Sequence, residues 1–291
     1  MRHVRQLMKG LIQKAVQVDP FWAVINATWI RPAEYAAQQR RQHVARLRER
    51  HCSQVDEIRR ISPNLAVRHG PFAGMRYPEA TSIGSTIAPK LLGSYERELH
   101  PVIERLCQNR YSEIVDIGCA EGYYAVGMAL RVPTARVYAF DTNADAVALC
   151  RAMAELNDVA DRCVTGAFCD SDVLRSIPMT TKALIISDCE GYEKQLFSED
   201  LVPVLAGHDL LIETHDCFDI ETTTTLRDRF AGTHHITSIK SVDDIEKARG
   251  YAYEELRSYT LAQRKTLLAE HRSCIMEWFY MTPRHGGLAE P

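Results

Sequence analysis

The sequence has no cysteine pair spaced C-x-x-C, no internal repeat, no low-complexity segment and no long apolar run free of charge. Its nine cysteines are an odd number, which disfavours a disulfide framework or a zinc site and predicts reduced thiols in a cytoplasmic protein. The net charge of -3 gives no case for nucleic acid or an anionic membrane as a partner. Lys9, Lys14 and Asp19 interrupt the apolar N-terminal residues, so we expect neither a signal peptide nor a membrane span there.

With 291 residues, 46% of them hydrophobic, the chain can bury a large core. Residues 1–64 predict a helical extension, because Ala33–Ile61 is rich in Arg and Gln, carries apolar residues at helical spacing and ends at Ser62-Pro63. We expect the extension to act as a lid or as an interface, with homo-oligomerisation through its helices. An amphipathic segment lying on a membrane surface is the less favoured alternative.

Residues 65–291 predict one α/β domain, since apolar strands alternate with helical patterns. This alternation indicates a Rossmann-like, mostly parallel sheet of seven strands with helices on both faces. Two long helices are expected, one continuing from the turn at Gly84 towards residue 106 and one from about Ala252 to Glu270. The predicted strands cover residues 114–117, 137–140, 163–168, 183–187, 209–214, 235–239 and 275–281.

The stretch IVDIGCAEGYY, Ile114–Tyr124, reads as a buried strand followed by a glycine turn and a helix. Its glycines are spaced GxxxG, whereas a nicotinamide-binding turn prefers GxGxxG. Asp116 and Glu121 bracket the turn, which favours a ligand with a sulfonium or ammonium group over a pyrophosphate. Asp141 ends the next strand, where a carboxylate can bind a ribose diol or cap the following helix. S-adenosylmethionine is therefore favoured over NAD.

These segments resemble class I S-adenosylmethionine-dependent methyltransferases. VDIGCAEGYY is similar to their first motif, with Ala120 where a glycine is common, and VYAFDTNADAV is similar to the second. DCEGYEKQLF resembles the D-x-E-G-x-E signature of FkbM-type enzymes, and the resemblance extends over roughly Gly70–Pro283. It implies O-methylation of a small metabolite and these cofactor-binding residues: Asp116, Gly118, Cys119, Ala120, Glu121, Gly122, Tyr123, Asp141, Thr142, Asn143, Phe168, Cys169, Asp170 and Asp188.

Polar side chains follow two further predicted strands, and they are the candidates for the chemistry. Asp188 and Glu190 end one strand, while Glu213 and His215 end its expected neighbour and share one face by alternation. We predict His215, Asp188 and Glu190 as catalytic, with His215 as a general base. Alternatively, Asp188, Glu213 and His215 hold a divalent cation such as Mg²⁺. Helix capping by the carboxylates or a structural role for the histidine stays open.

The sequence leaves the acceptor unidentified, apart from its being a small molecule rather than a nucleic acid. A methyltransferase acting on nitrogen, on carbon or on a macromolecule is the first alternative. A non-catalytic nucleoside-binding scaffold and a hydride-transfer enzyme are the others. Because Gly118, Gly122 and Asp141 are all present, we do not expect a site that has lost its ability to bind the cofactor.

Overall fold

The computed structural model describes residue 40 and residues 56–284. The arginine-rich helix and most of the predicted extension, residues 1–64, lie outside the described residues, so the extension stays a prediction. Residues 56–61 are helical, and Ile58 and Ile61 are buried among hydrophobic residues of the sheet domain. No helix in this described part is long and apolar enough to cross a membrane.

Seven strands form one sheet in the order β3-β2-β1-β4-β5-β7-β6. The first five strands pair in parallel, and β7 runs antiparallel to both β5 and β6. The predicted α/β sheet is therefore confirmed. The strands are β1 Glu113–Ile117, β2 Arg136–Phe140, β3 Cys163–Gly166, β4 Leu184–Ser187, β5 Asp209–Thr214, β6 His234–Lys240 and β7 Glu277–Pro283.

The central strands are apolar on both faces because helices cover both sides. Every residue of β1, β4 and β5 is buried, as expected for a parallel sheet between helical layers. The described α-helices are α1 Ile87–Leu92, α2 His100–Cys107, α3 Tyr123–Arg131, α4 Ala144–Leu156, α5 Ser171–Ser176, α6 Glu193–Leu196, α7 Val202–Leu205, α8 Thr222–Phe230, α9 Asp244–Gly250 and α10 Leu261–Leu268.

Both of the long predicted helices are interrupted. The first ends at Gly93, whose φ of 80° closes α1; a 3₁₀ turn follows at Arg97–Leu99, and the next α-helix begins at His100. The second prediction was wrong outside α10, since residues 252–260 and 269–270 form no α-helix and Glu254–Leu256 is a 3₁₀ turn. The side chain of Thr260 accepts a hydrogen bond from the backbone N–H of Gln263 and starts α10.

The strand order reverses between β1 and β4, which lie side by side while β2 and β3 continue in the other direction. Such a switch opens a crevice beyond the carboxyl ends of the strands, where open α/β sheets bind their ligands. The segments after β1, β2, β3, β4 and β5 all reach this edge, and they carry every sequence-predicted site residue outside the strands and α3.

Candidate active site at the carboxyl edge of the sheet

The turn between β1 and α3 requires glycine at both of its ends. Gly118 has a φ of 83° and Gly122 a φ of 98°, in the left-handed region that favours glycine. A Cβ atom on Gly118 would lie 1.7 Å from the carbonyl oxygen of Asp188, so the turn packs directly against the end of β4. Ala120 adopts a φ of 46°, which costs a residue with a side chain about 1–2 kcal/mol.

Asp141 links the end of β2 to this turn. One carboxylate oxygen accepts a hydrogen bond of 2.9 Å from the backbone N–H of Ala120, and the other accepts one of 2.7 Å from Asn143. The side chain that caps α4 is Asn143, which accepts a hydrogen bond of 3.0 Å from the N–H of Asp145. Capping is thus done by the neighbour, while Asp141 lines the cavity with free lone pairs on both oxygens.

A cavity of about 600 Å³ opens at this edge of the sheet. Among the sequence-predicted residues, its wall includes Gly118, Cys119, Ala120, Tyr123, Asp141, Thr142, Phe168, Cys169, Asp188, Glu190, Glu213 and His215. The glycine turn and Asp141 follow β1 and β2, whereas Glu213 and His215 lie at the end of β5. One cavity therefore joins the predicted cofactor residues to the predicted catalytic residues.

The segment after β3 supplies an aromatic face to the cavity. Phe168 is 50% exposed, and its ring centroid lies 5.3 Å from that of Tyr192, which also lines the cavity. An exposed aromatic ring in the same cavity as a carboxylate suits the stacking of a planar ring such as a purine. Asp170 does not line the cavity; it accepts a hydrogen bond of 2.8 Å from the N–H of Val173 and caps α5.

Glu121 is fully buried and does not line the cavity. It forms an ion pair of 2.6 Å with Lys90 and accepts hydrogen bonds of 3.1 Å from Ser82 Oγ and from the N–H of Ile83. Its carboxylate therefore holds the segment before α1 against the glycine turn. Because Ile83 and Lys90 line the cavity, Glu121 shapes the site without facing it.

Asp116 lies beneath the turn, and its side chain is not part of the cavity wall. It is 2% exposed, and Oδ2 has no hydrogen-bond partner among the described residues. Burial raises the pKa of Asp116 to about 8, so the neutral acid predominates at neutral pH. The expectation that Asp116 presents a charge to a sulfonium ligand has no geometric support.

At the other end of the cavity, three carboxylates surround one ring nitrogen of His215. The distances from His215 Nε2 are 3.4 Å to Asp188 Oδ1, 3.6 Å to Glu190 Oε2 and 3.7 Å to Glu213 Oε2. The alternation predicted for β5 is confirmed, since Glu213 and His215 face the cavity while Thr214 bonds to the backbone of Glu277. The prediction that the side chains after β4 and β5 lie close together therefore agrees with the structure.

Glu193 fixes the orientation of the histidine ring. Its Oε1 lies 2.7 Å from His215 Nδ1 and also accepts a hydrogen bond of 3.1 Å from the N–H of Gly191. The other ring nitrogen is thereby directed at the carboxylates. Burial lowers the pKa of His215, but the hydrogen bond that its ring donates to Glu193 and the charge of Asp188 outweigh it, and the net shift is upward.

Arg272 is the principal cation near this cluster. It bonds to Glu96 and Glu213 and forms an ion pair of 3.0 Å with Glu270. Although burial lowers the pKa of Arg272, the charges of Glu96 and Glu213 raise it above its ordinary value, so it stays protonated. Burial and the charge of Asp188 raise the pKa of Glu213 well above its usual range.

Several residues of the site were missed by the sequence reasoning. Glu193 carried a signal, because it is the last acidic residue of the DCEGYE motif, yet no role was assigned to it. Arg272, Met276 and Phe218 line the cavity from irregular segments, where no periodic pattern distinguishes a site residue from a surface residue.

Residues 100–188 match the family model described as Methyltransferase small domain, which is about a third of the chain. The matched segment runs from the start of α2 to Asp188 and contains the glycine turn, Asp141 and Phe168. No curated protein matches the sequence.

Solved methyltransferase structures resemble this chain at low identity. The precorrin-6y C5,15-methyltransferase of Geobacter metallireducens GS-15 is 11% identical, with 65% of this chain and 87% of that chain covered and a TM-score of 0.43. Geranyl diphosphate C-methyltransferase of Streptomyces coelicolor A3(2), in complex with Mg²⁺, geranyl diphosphate and S-adenosyl-L-homocysteine, is 11% identical over 68% and 84%, with a TM-score of 0.43. A methyltransferase of Geobacter sulfurreducens bound to S-adenosyl-L-homocysteine is 14% identical over 65% and 91%, with a TM-score of 0.41. Matches at this level do not bear on the acceptor.

The family match covers the strands and turns that form the cofactor end of the cavity. The residues there suit a nucleoside cofactor, because a glycine turn, the Asp141 carboxylate and an exposed aromatic ring lie around one cavity. Together these observations indicate a methyltransferase with S-adenosylmethionine as its methyl donor.

Proposed function

We propose that the protein is an FkbM-type methyltransferase that transfers the methyl group of S-adenosylmethionine to a hydroxyl oxygen of a small metabolite. The observation that carries the proposal is the single cavity that joins Asp141 and the glycine turn to the His215 cluster. The FkbM assignment rests on the DCEGYE motif, whose three acidic residues Asp188, Glu190 and Glu193 all lie within 3.6 Å of His215. A cytoplasmic location and self-association through residues 1–64 stay predictions.

The cofactor end would bind each part of the donor through a different group. Asp141 would accept hydrogen bonds from the two ribose hydroxyls, and Phe168 would stack on the adenine. The methionine part would extend past Gly118 towards Lys90 and Tyr95, which line the same cavity. Lys90 Nζ lies 4.8 Å from the Tyr95 ring centroid, so its charge is held inside the cavity wall.

The acceptor end must remove one proton. In the transfer, the bond from sulfur to methyl breaks, a bond from the acceptor oxygen to methyl forms, and the hydroxyl proton passes to a base; the sulfonium becomes a neutral sulfide. His215, Asp188 and Glu190 line the cavity and would align and deprotonate such a hydroxyl. The surrounding carboxylates also complement the positive charge of the sulfonium.

The test is methyl transfer from labelled S-adenosylmethionine to the small molecules of a metabolite extract. We expect label in a low-molecular-weight product whose methyl resonance is that of an O-methyl group. His215→Ala should lower the rate by about 10²–10⁴-fold with donor affinity near wild type. Label in an N-methyl or C-methyl product, or only in macromolecules, would contradict the proposed acceptor, and no transfer to any fraction would contradict the activity.

A further inference from the structure

The arrangement around His215 has features that a metal-free base does not need. Three carboxylates approach Nε2, the one ring nitrogen that a base would have to present to its acceptor. One oxygen of Asp188, one of Glu213 and one nitrogen of His215 lie within 4.8 Å of one another. Two carboxylates and one imidazole are ligand types that Mn²⁺ and Mg²⁺ sites use.

One atom of this trio lacks a hydrogen-bond partner that the surrounding protein would normally supply. Asp188 Oδ1 is buried and has no hydrogen bond within residues 56–284. The side chain of His215 is 2% exposed, and the contacts of its Nε2 are with carboxylates, the nearest of which is Asp188 at 3.4 Å. Buried polar atoms without partners are uncommon in native proteins and indicate an ion or ligand.

The outer contacts of the trio hold its ligand atoms in place. Glu193 binds His215 Nδ1 at 2.7 Å, which leaves Nε2 as the nitrogen that faces the cavity. Arg272 binds Glu213 Oε1, while Oε2 lies 3.7 Å from the histidine. Such second contacts on a histidine and a carboxylate are the usual support of metal ligands.

The charges near the trio are unbalanced. Arg272 contributes one positive charge, which is shared among Glu96, Glu213 and Glu270, and Lys247 contributes a second through an ion pair of 2.5 Å with Glu270. Asp188 and Glu190 have no cationic partner in the described part of the chain other than His215. A divalent cation would offset this excess of negative charge.

We infer that Asp188, Glu213 and His215 bind a divalent cation of the Mn²⁺ or Mg²⁺ type, with Glu190 at the open side of the site. The inference rests on the proposed function, because the cation would hold the acceptor oxygen beside the methyl group. When bound, such a cation lowers the pKa of a coordinated hydroxyl and stabilises the alkoxide. The proton would then pass to Glu190, whose side chain is 67% exposed, or to water.

The test is a titration of the full-length protein, freed of metal with EDTA and saturated with S-adenosylhomocysteine, with Mn²⁺ alone. Electron paramagnetic resonance measures the loss of the free Mn²⁺ signal, so the readout does not require the acceptor. We expect one Mn²⁺ per chain, competition by Mg²⁺, and affinity at least about tenfold weaker in Asp188→Asn and His215→Ala.

Glu221→Gln is the matched control, since it removes one carboxylate from the segment after β5. Glu221 is 76% exposed and pairs with Lys194 at 3.3 Å, away from the trio. This variant should bind Mn²⁺ like wild type. Thermal melting identifies any variant that fails to fold. If Asp188→Asn or His215→Ala fails, Glu213→Gln takes its place in the comparison of Mn²⁺ affinity with wild type.

Two results would overturn the inference: wild type that binds no Mn²⁺, or trio variants that bind it as tightly as wild type. If either result is found together with normal S-adenosylhomocysteine binding, the methyltransferase proposal is unaffected. His215 would then be the base that accepts the proton of the hydroxyl. Absence of S-adenosylhomocysteine binding in wild type would instead contradict the proposed function itself.

Discussion

Asp141 is the single residue on which the cofactor end depends most. It accepts hydrogen bonds from the backbone of both Ala120 and Asn143, so it orders the turn after β1 as well as lining the cavity. The sequence predicted this residue because a carboxylate ended the strand after a glycine turn. It did not predict the bond to Ala120, because that bond depends on the tertiary approach of two strand ends.

Asp141→Ala should weaken S-adenosylmethionine binding by about 1.5–3 kcal/mol, the value of a lost pair of charge-assisted hydrogen bonds. Equilibrium dialysis with labelled S-adenosylmethionine measures the change, and circular dichroism establishes that the variant is folded. Asp145→Ala is the control, because Asp145 is exposed on α4 and does not line the cavity. A folded Asp141→Ala variant with wild-type affinity would remove this residue from the cofactor site.

Gly118→Ala should destabilise the protein by several kcal/mol, about 3 or more, because the added Cβ would lie 1.7 Å from the carbonyl oxygen of Asp188. The strained φ of 83° adds to this cost. In Gly232→Ala, the matched control, the added Cβ meets nothing within 4 Å. Urea denaturation of both variants tests the prediction, which fails if Gly118→Ala is no less stable than Gly232→Ala.

The elements of the domain were predicted where local pattern and burial agree. Strands β1, β4 and β5 are buried throughout, and each has a run of apolar residues at its centre that predicted a strand. Helices before β1 and β7 were predicted too long, because Gly93 and Thr260 interrupt patterns that continue in helical spacing on either side. The segment that carries Arg272 has no regular structure, and its position follows from ion pairs that are distant in sequence.

Lys90 and Glu121 form the ion pair that joins α1 to the glycine turn, and both side chains are buried, at 3% and 0% exposure. Lys90→Met or Glu121→Gln alone should cost about 3–5 kcal/mol in the free energy of unfolding, because each leaves a buried partner without its counterpart. The double variant should cost clearly less than the sum of the two. Urea denaturation in a double-mutant cycle measures this difference.

The exposed pair of Arg249 and Glu246 is the control for that cycle. Its side chains are 60% and 62% exposed at a separation of 2.9 Å, so its removal should change the free energy of unfolding by less than about 1 kcal/mol. Additive effects of the Lys90 and Glu121 substitutions would show that the two residues stabilise the domain independently, against the contact in the structure.

The whole domain has a functional edge and a structural edge. Buried hydrophobic clusters cover each face of the sheet, and the cavity lies at the carboxyl ends of the parallel strands. At the opposite edge, before β5 and at the start of β6, His208 and His234 are buried. The N–H of Ala183 donates to His208 Nδ1 at 3.1 Å, and His234 Nε2 donates to the His208 carbonyl at 3.1 Å.

The contribution of His208 and His234 to stability should fall as pH decreases through about 6.5, the ordinary histidine value. Burial lowers the pKa of both His208 and His234 in the folded state, so below 6.5 the unfolded chain binds more protons. Each histidine then costs up to about 1.4 kcal/mol per pH unit. In urea denaturation from pH 7.5 to 5.5, the free energy of unfolding of His208→Asn should therefore rise relative to that of wild type as the pH falls.

His235→Asn is the control for the pH series, because His235 is exposed on the neighbouring position of β6. Its curve should parallel that of wild type. If His208→Asn also parallels wild type, the buried histidine does not link folding to pH in this range.

Binding of S-adenosylhomocysteine to the wild-type protein is the measurement that tests the account most directly. Calorimetric titration at two temperatures prevents a vanishing enthalpy at one of them from hiding the interaction. The account predicts one molecule bound per chain, displaced by S-adenosylmethionine and not by NADH. A folded protein that shows no heat at either temperature, or that binds NADH in its place, would contradict it.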